Sequence, residues 1–131
     1  MELTGNTLKD FWIWYLLLEQ RKTYKISSLR GGDNVAKIRF LAMSPAERYG
    51  VYVDFFDSVG VTINISPIYL YTLFSTLKND KNGPDGYYFK IHIDNTNGKW
   101  LEDNKESRPE ARTSVIKKAN ELRNEALTNK E

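Results

Sequence analysis

The 131-residue chain carries 19 basic and 17 acidic side chains, a formal net charge of +2, and no cysteine. The charge is too small to imply a polyanion partner on its own, and the missing cysteines exclude disulfides, thiol catalysis and cysteine-based metal sites. Length and apolar content suit one domain over residues 1–131 with a sizeable core. The chain shows no internal repeat or linker. The longest apolar run, Phe11 to Leu18, is far short of the ~20 residues that span a bilayer. It follows Lys9-Asp10 and has no small-residue cleavage site. The expectation is a cytoplasmic protein with no membrane contact.

Residues 4–20 read as a first helix that Thr4 or Asn6 caps, with Leu8, Phe11, Tyr15 and Leu18 on one face. Trp12, Ile13, Trp14, Leu16 and Leu17 make it apolar nearly all round. That pattern predicts burial against a central helix and a sheet. The alternative is a stripe in which Trp12 and Trp14 are left for a protein partner. Residues 21–33 are basic and then turn-like. The Gly31-Gly32 pair lacks the spacing of a phosphate-binding loop. Asp33 is the expected cap of a short helix over 34–42, where Val35, Ile38 and Leu41 recur at helical spacing.

The central stretch is the best specified. Ser44-Pro45-Ala46-Glu47 is a capping box with proline at the first helical position. Tyr49, Tyr52, Val53, Phe56 and Val59 then mark one face of a helix over 45–58. Gly60 stands where the chain needs positive φ to leave it. The period changes to two at Val61, Ile63 and Ile65, which oppose Thr62, Asn64 and Ser66. Ile68 to Leu77 fits either helix or strand, and its aromatic and β-branched content favours strand. Tyr87, Phe89, Ile91 and Ile93 alternate with Tyr88, Lys90, His92 and Asp94. Asn95-Thr-Asn-Gly98 predicts a turn, with a short strand at Lys99–Glu102. Ser107-Arg-Pro-Glu110 opens a last helix over 107–126. It carries a narrow stripe of Ala111, Val115, Ala119, Leu122 and Ala126, and its end is expected to fray after Thr128. Together these predict an α+β fold: N-terminal helices, a three- to four-stranded antiparallel sheet, and a C-terminal helix packed on the sheet.

Chemistry is sparse. His92 is the only histidine and falls on the polar face of its strand. No serine lies in a nucleophile-elbow pattern, and one histidine without cysteine does not make a usual zinc site. Asp54 and Asp57 could form a carboxylate pair, but no metal-binding motif surrounds them; an amphipathic helix edge is the plainer reading. Neither a catalytic residue nor a cofactor or metal site is expected. Two binding patterns remain. Arg108, Arg112, Lys117 and Lys118 could contact a phosphate backbone, and Tyr88 or Trp100 could stack on bases. Trp12, Trp14 and Trp100 are the candidate protein contacts.

Two stretches resemble a known family: Tyr49-Gly-Val-Tyr-Val-Asp-Phe-Phe-Asp-Ser-Val-Gly60, and Ser107-Arg-Pro-Glu-Ala-Arg-Thr with Lys118-Ala-Asn-Glu-Leu122. The opening Met1-Glu-Leu-Thr-Gly5 with Phe11 and Trp14-Tyr15 is similar too. These motifs resemble small uncharacterised proteins of phages and prophages of Bacteroides-type gut bacteria. The resemblance implies an origin on a mobile element and assigns no activity and no functional residues. The functional expectation is a small non-enzymatic accessory protein that binds another protein, with nucleic-acid binding as the alternative.

Overall fold

The computed structural model describes residues 1–22, 32–68, 86–93 and 99–129. Its elements are α1 (Gly5–Lys22), α2 (Gly32–Leu41), α3 (Pro45–Ser58), β1 (Val61–Ile68), β2 (Gly86–Ile93), β3 (Lys99–Lys105) and α4 (Arg108–Asn129). The fold is α+β, with the strands in the order β1-β2-β3 and both pairings antiparallel.

The boundaries of α3 follow from its caps. The Glu47 N–H donates to Ser44 Oγ at 3.2 Å, and the Ser44 hydroxyl reaches Glu47 Oε1 at the same distance. At the other end Gly60 takes φ +81° and its N–H donates to the Asp57 carbonyl, closing the helix and turning the chain into β1. The second capping box forms in the same way, with the Glu110 N–H donating to Ser107 Oγ at 3.3 Å.

Strand register places every inward residue of β1 opposite an apolar partner. Val61 pairs with Ile93, Ile63 with Ile91 and Ile65 with Phe89. One face of the sheet is therefore a continuous apolar surface, covered by α3 over β1 and by α4 over all three strands. The Ala111, Val115 and Ala119 stripe of α4 is fully buried there. Small residues on a helix let it approach the sheet closely. Ile116 and Asn120 widen the buried face beyond the expected stripe.

The helices α1, α2 and α3 meet around Phe11, which is inaccessible to solvent. The rings of Trp12, Phe40, Tyr52, Phe55, Tyr15 and Trp14 have centroids 5.1 to 6.1 Å from that of Phe11. Four of these contacts are tilted, that with Phe55 is edge-on and that with Tyr15 is stacked; tilted, edge-on and offset-stacked pairs are the preferred aromatic geometries. The main packing partners of α1 are α2, α3 and α4. The sheet contact expected of α1 is taken instead by α3 and α4.

The start of α1 is fixed from outside the helix. The Thr4 hydroxyl accepts from Asn120 and Asn124 of α4. The Thr7 N–H donates to Asn124 Oδ1 at 3.0 Å, and the Thr4 N–H to Asn120 Oδ1 at 3.0 Å. Free donors of the first turn are thus satisfied by amides of another helix. Gly5 takes φ +63° there, and a Cβ would come to 3.0 Å from the Asn124 side chain, so any larger residue would be strained and would press on the clasping amide. Arg123 completes the clasp, 2.8 Å from Asp10 and with its guanidinium over the Phe55 ring.

Three expectations are corrected. α2 begins at Gly32, which puts Asp33 inside the first turn rather than at the cap. The face of α2 that packs is Ala36 and Phe40; Val35, Ile38 and Leu41 point outward. β3 also runs beyond Glu102 to Lys105. The expected strand over 68–77, apart from Ile68 at the end of β1, and the turn at 95–98 lie outside the described residues.

Candidate functional site

The outward row of α2 is its most apolar one. Ile38 is 66% exposed, Leu41 62% and Val35 44%. One helix away, α1 turns Ile13 and Leu17 to solvent on the side opposite Phe11 and Tyr15, with Ile13 61% exposed. A two-faced apolar helix is ordinarily buried on both sides. Here one face meets the aromatic core and the other meets water.

The tryptophans are placed differently. Trp12 is half-buried, 5.6 Å edge-on from Phe40, with the Lys37 ammonium 5.4 Å from its ring centre. Trp14 packs on Phe55 at 5.6 Å. Both belong to the rim of the aromatic core. The Trp100 backbone, on β3, pairs with that of His92 on β2, and the Trp100 side chain lies outside the described residues.

The four basic candidates on α4 are not gathered into one stripe. The Arg108 guanidinium sits 4.8 Å from the Tyr87 ring centre and Arg112 sits 5.5 Å from that of Tyr49. These contacts hold them against the protein. Burial pushes the Tyr49 hydroxyl above its ordinary pKa, and the two guanidiniums partly oppose that shift. Lys117 projects about half a helical turn from Arg108. Lys118 is exposed, 4.0 Å from Glu121.

The aspartates also part. Asp54 lines an open cleft of about 660 Å³ together with Glu47, Gly50, Val51, Ile63 and Asn64. Asp57 is exposed and does not line it. Glu47 and Asp54 are two helical turns apart, about 10 Å along the axis, too far to share a proton or a single metal ion. Among the described residues no three histidine, aspartate or glutamate side chains are grouped as metal ligands.

A second concavity, of about 280 Å³, lies on the outer face of the sheet. Thr62, Asn64, Lys90 and His92 line it as two directly opposed cross-strand pairs. The alternation of residues 87–93 put Lys90 and His92 on this face, but the β1–β2 register was needed to bring Thr62 and Asn64 beside them.

Among the described residues no helix is long and apolar enough to cross a membrane. No protein-family model matches the chain, and neither a curated protein nor a solved structure matches it.

Proposed function

We propose that the protein acts by binding another protein, as a non-enzymatic accessory factor of a phage or prophage working in the cytoplasm. The observation that carries the reading is the pair of outward apolar rows, Ile13 and Leu17 on α1 with Val35, Ile38 and Leu41 on α2. Covering a large aliphatic side chain contributes roughly 1.5–3 kcal/mol. Several of them on two neighbouring helices therefore favour a covered state over an exposed one. Lys37 and Arg39 of α2 flank the row, as in the polar rim of an interface. The absence of cysteine fits a reducing compartment, and the motifs over 49–60 and 107–122 support the mobile-element origin.

Nucleic-acid binding through Arg108, Arg112, Lys117 and Lys118 is less favoured, because stacking on Tyr87 and Tyr49 already engages two of them. Chemistry at Asp54 and Asp57 is less favoured still, since only Asp54 faces the cleft.

The test compares wild-type protein with a doubly substituted Ile13→Glu, Ile38→Glu form in affinity capture from the host. The same form is run in light scattering to detect self-association. Proteins captured, or dimers formed, by the wild type and lost in the variant support the reading. Identical captures with identical mass would sink it.

A further inference from the structure

The cleft at Asp54 runs between α3 and the outer edge of β1. Ile63, Asn64 and Ile65 all line it. Successive strand side chains point to opposite faces of a sheet, so one cleft reaches all three by following the strand's edge. Among the described residues β1 bonds only to β2, on its other side. Its outer N–H and C=O groups are the ones an added strand takes up.

The facing wall is α3, and Gly50 lies in it between Glu47 and Asp54. A Cβ at Gly50 would meet nothing within 4 Å, and its φ is not positive. Neither sterics nor backbone geometry calls for glycine at this helix-interior position, where alanine is the more stable choice. What the missing side chain does is lower the wall beside β1. Glu47 and Asp54 stand exposed above the gap, and Asp54 has no ion-pair partner among the described residues; Arg108 also lines the cleft, with its guanidinium turned onto the Tyr87 ring, so two carboxylates face one engaged cation. The carboxylate separation of about 10 Å falls between the ~6.6 Å and ~13 Å spacings of side chains on one face of an extended chain, within the reach of long lysine or arginine side chains. Below them Val51, Val53 and Ile65, each half-buried, form an apolar floor. Pro67 has no N–H to donate and ends the usable edge.

We propose that this cleft takes an extended, basic segment of a partner protein. The segment adds to β1 as a further strand. Its backbone pairs with the β1 edge, alternate apolar side chains enter the floor, and lysine or arginine side chains meet Glu47 and Asp54. The inference uses a different surface from the α1–α2 rows and stands or falls without them.

The probe is a fluorescent peptide as long as β1 that alternates valine with lysine. A valine–glutamate peptide serves as control. The lysine peptide should bind saturably and shift the backbone amide resonances of Ile63, Asn64 and Ile65. Asp54→Asn and Glu47→Gln should each weaken binding by about two- to fivefold, the scale of an exposed ion pair. Gly50→Trp should fill the gap and abolish binding while melting no lower than the wild type. No binding, equal binding of the two peptides, or unchanged binding to Gly50→Trp would overturn the proposal. So would a loss of binding produced by Ile38→Glu, which would move the contact to the α1–α2 surface.

Discussion

Phe11 sits at the meeting point of the three N-terminal helices, ringed by six aromatic side chains. Truncating it to alanine removes the ring that all of them touch. Phe11→Ala should lower stability by about 3–5 kcal/mol in denaturant unfolding. Asn120 shows the polar counterpart. It is 5% exposed and satisfies both the N–H and the hydroxyl of Thr4, so Asn120→Ala takes the acceptor from the Thr4 N–H and leaves the Thr4 hydroxyl with Asn124 alone. The expected loss is about 1–3 kcal/mol, with hydrogen exchange accelerated in the first turn of α1. Three tyrosines carry a pH signature. Burial is the leading cause that raises the pKa of Tyr15, Tyr49 and Tyr52. A phenol whose pKa is higher folded than unfolded holds its proton longer in the native state. Its contribution is complete below about pH 10 and is lost as pH rises through the folded value. Thermal stability should therefore fall on the alkaline side of pH 10, and Tyr52→Phe should flatten that fall. An unchanged alkaline slope in the variant would assign it elsewhere.

At the scale of elements, caps and periods were readable in the chain. At Ser44 and Ser107 the serine oxygen accepts the glutamate N–H as expected, while each glutamate carboxylate meets the serine hydroxyl in place of the cap N–H; the serine half was legible because a cap is decided within four residues of sequence. Ser107→Ala should cost about 0.5–2 kcal/mol. Gly50 offers the opposite sign. With open space around it and an ordinary helical backbone, Gly50→Ala should stabilise the protein by about 0.5–1 kcal/mol, measured as a shift in the denaturation midpoint at constant slope. The face of α2 was not readable. Val35, Ile38 and Leu41 form one apolar row, and Ala36 with Phe40 form another. Local periodicity does not say which row meets the core. The core chose Phe40, whose ring packs on Phe11 and Tyr52 at 5.1 and 5.3 Å.

For the whole molecule, surface exposure is the property that assembly decides. Ile38→Glu replaces an exposed side chain with a charged one and should leave stability within about 0.5 kcal/mol, while reducing any association that uses the α1–α2 face; sedimentation and capture read the two effects separately. The chain by itself determined the α+β class, the inward sets of β1 and β2, both capping boxes and the glycine exit at Gly60, since each depends on short-range periodicity or on backbone constraints a few residues long. Tertiary structure decided the rest. It set the partly buried Trp12 and Trp14 at the rim of the aromatic core, turned Arg108 and Arg112 onto tyrosine rings away from Lys117, and clasped the start of α1 with amides more than a hundred residues away. It also brought Gly50 and Asp54 beside the outer edge of β1. None of these juxtapositions is encoded in any one segment, because each is set by which buried faces find one another when the helices close over the sheet.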